Sequence, residues 1–331
     1  MIWPLSAKNG VSTKNPMIGP GEHSMGKMIG EYSPLTPMQT VGSGSARWCI
    51  AGRGRERFFL KQFLSPVYPA GESGELAGRQ RERCERFEKQ KQRLYAALSC
   101  VIGDTLVPVL DFFRFERRYY AVSEAVPTPH VTGEDVPPLS VKERREILFE
   151  LAQCLQRLHM QGIVHADLKP EHVLMRRMPT GWRARLIDLD SGFLAEDPPG
   201  SEREMEGDPV YLAPEAFLRM AGQKAEVGTK LDTFAFGAMI HRIWTGGLPG
   251  FDGKYTYLYE AALDGGEIRL SRELPLPYRM LVERMLSKNP DERPDDAEIV
   301  GLLFSPHREE RPRERGAEPI NGLSRFMKKG R

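Results

Sequence analysis

The stretch from Phe234 to Trp244 is apolar on nearly every side. A helix without a polar face must be buried all round, so the chain has to build a body large enough to surround it. With 331 residues it can supply one large domain of two lobes. Other helices are legible beside it. Ser140 and Glu143 form a capping box. Ile147, Leu148, Leu151, Cys154, Leu155 and Leu158 then recur on one face until Gly162 ends the helix. Leu281–Leu286 and Ala297–Phe304 read as further helices of the same body.

The preceding part has a different period. After Val41, the Gly42-Ser43-Gly44 turn leads to a strand at Trp48–Ala51. A turn at Gly52-Arg53-Gly54 leads to another at Phe58–Phe63. Leu106–Phe113 and Arg118–Val126 read as two more strands. Between them, from about Gly74 to Leu98, lies a charged helix with sparse apolar positions at Cys84, Phe87, Leu94 and Leu98. The expected class is therefore α+β. Residues 38–126 form a small β-rich lobe with one helix, and residues 127–305 a larger helical lobe. Residues 1–37, rich in Gly, Pro, Ser, Lys and Met, are expected to be a disordered tail, and residues 306–331 a basic polar tail.

Composition excludes several classes. A formal charge of +2 gives no whole-molecule attraction to nucleic acid. No apolar run reaches membrane-spanning length and no signal peptide is legible, so no membrane partner is expected. Cys49, Cys84, Cys100 and Cys154 are dispersed without CxxC spacing, which fits reduced thiols and a cytoplasmic location better than a disulfide framework.

Three short motifs lie between the long helix and the buried one. They are Ile163-Val164-His165-Ala166-Asp167-Leu168-Lys169-Pro170-Glu171-His172, Leu186-Ile187-Asp188-Leu189-Asp190, and Gly207-Asp208-Pro209-Val210-Tyr211-Leu212-Ala213-Pro214-Glu215. Each alone is weak. Together with Lys61 on a strand after a glycine loop, Leu231–Gly237 and Asn289–Pro294, they resemble the eukaryotic-type (Hanks-type) Ser/Thr protein kinase family. The Leu-Ile-Asp-Leu-Asp-Ser-Gly form at 186–192 is similar to bacterial variants. The resemblance covers about Met38 to Phe304 and implies a bilobal protein-kinase fold using ATP and Mg²⁺ or Mn²⁺ on a protein substrate.

The roles it implies follow from charge. Phosphoryl transfer needs alignment and neutralisation of phosphate oxygens more than covalent help. Gly42, Ser43 and Gly44 would close over the phosphates. Lys61 would pair with them, held by a helix carboxylate: Glu88, or else Glu85. Asp167 would accept the hydroxyl proton and Lys169 would steady the γ-phosphate. Asp188 and His172 would hold the metal. The backbone of Glu124 and Val126 would bracket the adenine, with the small Ser123 leaving a back pocket open.

The chain also departs from the pattern. Arg47 stands at the third glycine, and His172 at an asparagine that ligates the second metal. Imidazole suits Mn²⁺ better than Mg²⁺, so a Mn²⁺ preference, or the use of one tightly held metal, is expected. Asp190 replaces a glycine and would be an extra ligand or a turn cap. Ala166 replaces the arginine that receives an activation-loop phosphate, and between Ser201 and Glu215 the sole hydroxyl belongs to Tyr211. Phosphorylation of that loop is therefore not expected to switch the chain on. Asp208 replaces a threonine and would pair with Lys169. These departures favour one alternative, a pseudokinase or nucleotide-binding scaffold. Retention of Lys61, Asp167, Lys169 and Asp188 argues against it. A small-molecule kinase is the other alternative, and the pair Glu215 and Arg293 argues for protein substrates instead.

Overall fold

The computed structural model describes residues 26–40, 46–71, 73–101, 103–126, 138–179, 181–200 and 205–304, together with the backbone of residues 131–132. The first lobe is an antiparallel sheet of β1 (Ser33–Pro34), β2 (Gln39–Thr40), β3 (Ala46–Arg53), β4 (Glu56–Phe63), β5 (Val109–Phe115) and β6 (Arg118–Glu124), in spatial order β1-β3-β4-β6-β5 with β2 beside β3. Alternation along β3 and β4 gives the sheet two apolar faces. Cys49, Ala51, Phe58 and Leu60 point away from the second lobe, while Trp48, Phe59 and Lys61 point toward the cleft.

The outward face is covered by a segment expected to be part of a disordered tail. Residues 26–37 pack on the sheet, β1 pairs with β3, and the Tyr32 ring is buried between Phe58 and Phe113. Tyr32 donates its hydroxyl hydrogen to Asp111 and accepts one from Arg53. The ordered lobe therefore begins well before residue 38. A composition of glycine, proline and serine concealed one aromatic anchor.

Helix α1 (Glu75–Leu98) packs Cys84 and Phe87 against Phe63, Phe112 and Tyr119. The second lobe contains α2 (Val141–Met160), α3 (Pro214–Met220), α4 (Lys230–Thr245), α5 (Leu258–Leu263), α6 (Leu276–Met285) and α7 (Asp296–Phe304). The capping box of α2 is formed: Ser140 Oγ accepts from the Glu143 amide, and Glu143 from the Ser140 amide. Helix α4 is the centre, with Phe234, Ala238, Met239 and Ile240 fully enclosed. A Cβ at Gly237 would lie 2.9 Å from the Met285 Cβ, so glycine there sets how closely α4 and α6 approach.

Short ladders at the lobe boundary carry the motifs. β8 (Ile163–Val164) pairs with β11 (Phe193–Leu194), and β10 (Gly181–Leu186) with β9 (Val173–Met178), which also pairs with β7 (Val131–Thr132). The chain from β8 to β9 and the chain from β10 to β11 thus run side by side. They are joined where the Ile187 amide donates to the His172 carbonyl at 2.8 Å. This places Asp167 and His172 opposite Asp188.

Candidate active site

The loop after β8 is fixed from beneath by α4. Asp232, fully buried, accepts hydrogen bonds from the His165 amide at 2.7 Å and the Ala166 amide at 2.9 Å. Ala166 has φ of +65°, a left-handed conformation that a non-glycine residue keeps only when its surroundings impose it. His165 accepts from the Asp167 amide and donates through Nε2 to the Ile187 carbonyl. Asp167 Oδ1 accepts from the Asp208 amide at 2.8 Å, and its Oδ2 lies 3.3 Å from Lys169 Nζ. Lys169 also reaches Asp208 Oδ2 at 3.1 Å, the expected pairing, while the other Asp208 oxygen caps the Val210 amide. Burial raises the Asp167 pKa, against the opposing pull of Lys169. A carboxylate held this way has one oxygen occupied by an amide and one facing a cation, which orients it as a proton acceptor.

Asp188 follows β10 with φ of +66° and is buried. Its Oδ1 lies 3.0 Å from Lys61 Nζ. Burial alone would raise its pKa, but the charge and hydrogen bond of Lys61 outweigh that and hold it ionised. His172 donates from Nδ1 to the Asp167 carbonyl at 2.7 Å, which leaves a lone pair on Nε2. That Nε2 is buried without a hydrogen bond and lies 3.4 Å from Asp188 Oδ2. Burial holds the ring neutral, its pKa pushed down to about 3. A buried, neutral, unsatisfied nitrogen beside an ionised carboxylate is a donor set that fits a divalent cation. Among the described residues no group of three or more His, Cys, Asp and Glu is arranged to hold a metal. Phosphate oxygens and water would have to complete the coordination.

Lys61 does not meet Glu88. Glu88 instead accepts from the Tyr119 hydroxyl at 3.2 Å and from Gln92 at 3.5 Å, and lies on the side of α1 turned away from the cleft. Lys61 pairs with Asp188 and with the carboxylate of Asp190. Asp190 is thus neither a turn cap nor, in this arrangement, a free metal ligand. The residue that α1 aims at the site is Lys91, buried, whose ammonium donates to the Asp190 carbonyl. Its pKa is lowered, mainly by burial. The sequence held a signal for this residue. The spacing 87, 91, 94, 98 puts Lys91 on the apolar stripe of α1, where a charge needs a buried partner.

Gly42, Ser43 and Gly44 lie outside the described residues. On the hinge side, Val126 packs against a buried layer of Ala46, Trp48, Phe59, Val107, Leu174 and Ile187. Trp48 and Phe59 stack with ring centroids 5.4 Å apart, filling the strip next to the hinge. The cavity beside Ser123 holds only about 40 Å³, because Phe59 occupies one wall. The Glu124 side chain is drawn out of the cleft by Arg185 at 2.9 and 3.1 Å. A larger cavity of about 710 Å³ extends from Asp167 and Asp188 past Lys91 to Arg83 and Arg86.

The segment after β11 is tied to α1 by Arg93, whose guanidinium reaches Glu196 and Asp197, each at 2.6 Å. Tyr211 is buried and its hydroxyl accepts from Arg242 at 3.1 Å, so its oxygen is inaccessible to a second enzyme. Glu215 and Arg293 form a fully buried two-bond pair at 2.6 and 2.8 Å. Arg293 also donates to the Ser287 and Lys230 carbonyls and covers the Phe234 ring.

Comparison with known proteins agrees with this geometry. The family model for the protein kinase domain matches residues 79–304, more than half of the chain. The chain is 30% identical over 244 residues to the serine/threonine-protein kinase pkn2 of Myxococcus xanthus, covering 67% of this chain and 27% of that protein. It is 31% identical over 159 residues to the serine/threonine-protein kinase PkaA of Streptomyces coelicolor, covering 47% and 28%. A Wee1-like protein kinase of Oryza sativa is 29% identical over 166 residues, covering 49% and 28%. The matched stretches thus span little more than a quarter of these relatives' own length. With a two-lobed fold, an Asp167–Lys169 pair facing Asp188 and a buried Glu215–Arg293 clamp, the chain belongs to the protein kinase family, of the Hanks-type serine/threonine kind.

Proposed function

We propose that the chain transfers the γ-phosphate of ATP to serine or threonine hydroxyls of protein substrates, without needing phosphorylation of the segment between β11 and α3. The observation that carries this reading is the Asp167 carboxylate, fixed by the Asp208 amide and Lys169 on the side of the cleft facing Asp188. Asp167 would accept the acceptor hydroxyl's proton as its oxygen attacks phosphorus, and Lys169 would balance the charge on the transferred group. Lys61 would neutralise the inner phosphates. Asp188 and His172 would hold a divalent cation, which when bound screens the phosphate oxygens. The imidazole donor supports Mn²⁺ over Mg²⁺. Among the described residues no helix is long and apolar enough to cross a membrane, and the four cysteines are unpaired. A reducing, cytoplasmic setting suits both facts.

The test is transfer of labelled phosphate to a generic basic protein, with Mg²⁺ and Mn²⁺ supplied separately, comparing the native chain with Asp167→Asn. Transfer with Mn²⁺ that the substitution lowers by roughly 10³-fold or more is expected for loss of the positioned acceptor. ATP binding with no transfer under either metal would leave a nucleotide-binding scaffold as the function.

A further inference from the structure

In the contact between α1 and the phosphate-binding lysine, the charges stand reversed relative to the expectation of a helix carboxylate. α1 presents a cation, Lys91, and the carboxylate comes from Asp190 in the loop after β10. Four charges are enclosed together: Lys61 and Lys91 against Asp188 and Asp190. Asp188 cannot serve both Lys61 and a bound cation at full strength. Asp190 is thus the partner left to hold Lys61 in place when Asp188 turns to the metal. Asp190 is in turn held, because Lys91 grips its main-chain oxygen from the other side. Phe87, one turn before Lys91, lies 5.9 Å below the ammonium, and Tyr95, one turn after it, is buried in the same contact. The grip therefore comes from the packed stripe of α1 and not from a mobile surface chain.

We propose that Asp190 is the positioning residue for Lys61, and that Lys91 docks α1 onto it, so that the helix and the loop have exchanged the signs of their charges. The arrangement has a consequence that a helix carboxylate would not produce. If α1 swings outward, Lys61 keeps its partner. What changes is the anchoring of the loop that carries Asp188. Movement of α1 would act on the metal-binding side chain first, and on the phosphate lysine only through it.

The ATP arm of the test rests on the kinase reading, and the labelling arm does not. In the full chain, the rate at which an amine-reactive ester modifies Lys61 is read by mass spectrometry, together with ATP affinity by calorimetry and phosphate transfer. Asp190→Asn, which keeps the shape of the side chain, is expected to expose Lys61 to labelling and weaken ATP binding roughly tenfold. Glu88→Gln is expected to change neither. Lys91→Glu combined with Asp190→Gly, which returns a carboxylate to α1, is expected to restore the protection that Asp190→Gly alone removes. Thermal unfolding of each variant confirms that it is folded where it is read. Unaltered Lys61 labelling in Asp190→Asn, exposure of Lys61 by Glu88→Gln, or a double variant no better protected than Asp190→Gly would overturn the proposal. A native chain that transfers no phosphate but shows the expected labelling pattern would reject the kinase reading and keep the charge exchange.

Discussion

At the scale of single residues, the site divides into positions legible from the chain and positions that needed the fold. Asp167, Lys169, Asp188 and Lys61 were legible because their neighbours in sequence are their neighbours in space, along β8, β10 and β4. The partner of Lys61 was not. Choosing it requires the rotation of α1 about its own axis, and a helix crowded with charges offers many candidates at equal distance in sequence. His172 was legible as a departure, but its free nitrogen was not, since that depends on the Nδ1 bond to the Asp167 carbonyl. Replacing it tests the donor: His172→Asn should move the preference from Mn²⁺ toward Mg²⁺, read as the ratio of transfer rates under the two metals. Trp48 and Phe59 were also read only as strand residues. Because their stacked rings fill the strip beside Val126, a purine bound there must displace one of them. Apparent affinity falls by the fraction of molecules already open. Trp48→Val should therefore lower the KM for ATP, by about three- to tenfold if the closed form dominates, as steady-state kinetics would show.

At the scale of elements, one histidine ties three helices to the loop that carries Asp167. His159 of α2 lies 3.0 Å from Asp232 of α4 and 2.9 Å from Asp296 of α7, and Asp232 carries the amides of His165 and Ala166. Burial opposes its charge, but the hydrogen bonds and charges of the two carboxylates win and raise its pKa from 6.5 to about 9. Folding therefore favours the protonated ring. The stabilisation is complete below pH 6.5 and is lost as pH rises through about 9. Its size is on the order of 3 kcal/mol. Urea unfolding measured from pH 6 to pH 10 should show that fall in the native chain, and a flatter profile in His159→Gln. A second element-scale device is the grip of Arg93 on Glu196 and Asp197, where carboxylates stand between α1 and the loop after β11. Treatment with a phosphatase should leave the transfer rate unchanged, while Arg93→Ala should lower it. Loss of activity after phosphatase alone would show that a phosphate is doing what the geometry assigns to the carboxylates.

Across the whole molecule, the order of lobes and the central helix could be read from hydrophobic period alone. α4 at Lys230–Thr245 encloses the run that demanded burial, and the capping box marks the start of α2. The edge of the first lobe was lost, because Tyr32 works as a lone anchor and leaves no period to detect. Strand ends shifted by a few residues for a similar reason: Leu106 and Val107 are apolar because they face the core beside β10, yet they precede β5. The second lobe is locked by Glu215 and Arg293, both in the interior. Removing one member of such a pair strands the other charge. Arg293→Ala should cost about 3–5 kcal/mol, seen as a large drop in the denaturant midpoint. With the Tyr211 hydroxyl held by Arg242 and the loop after β11 tied to α1 by Arg93, the described part of this segment is fixed by charges the chain itself carries. Under the function proposed above, no modifying enzyme would be needed to set this segment, and doubling the gene dose should double the phosphate delivered.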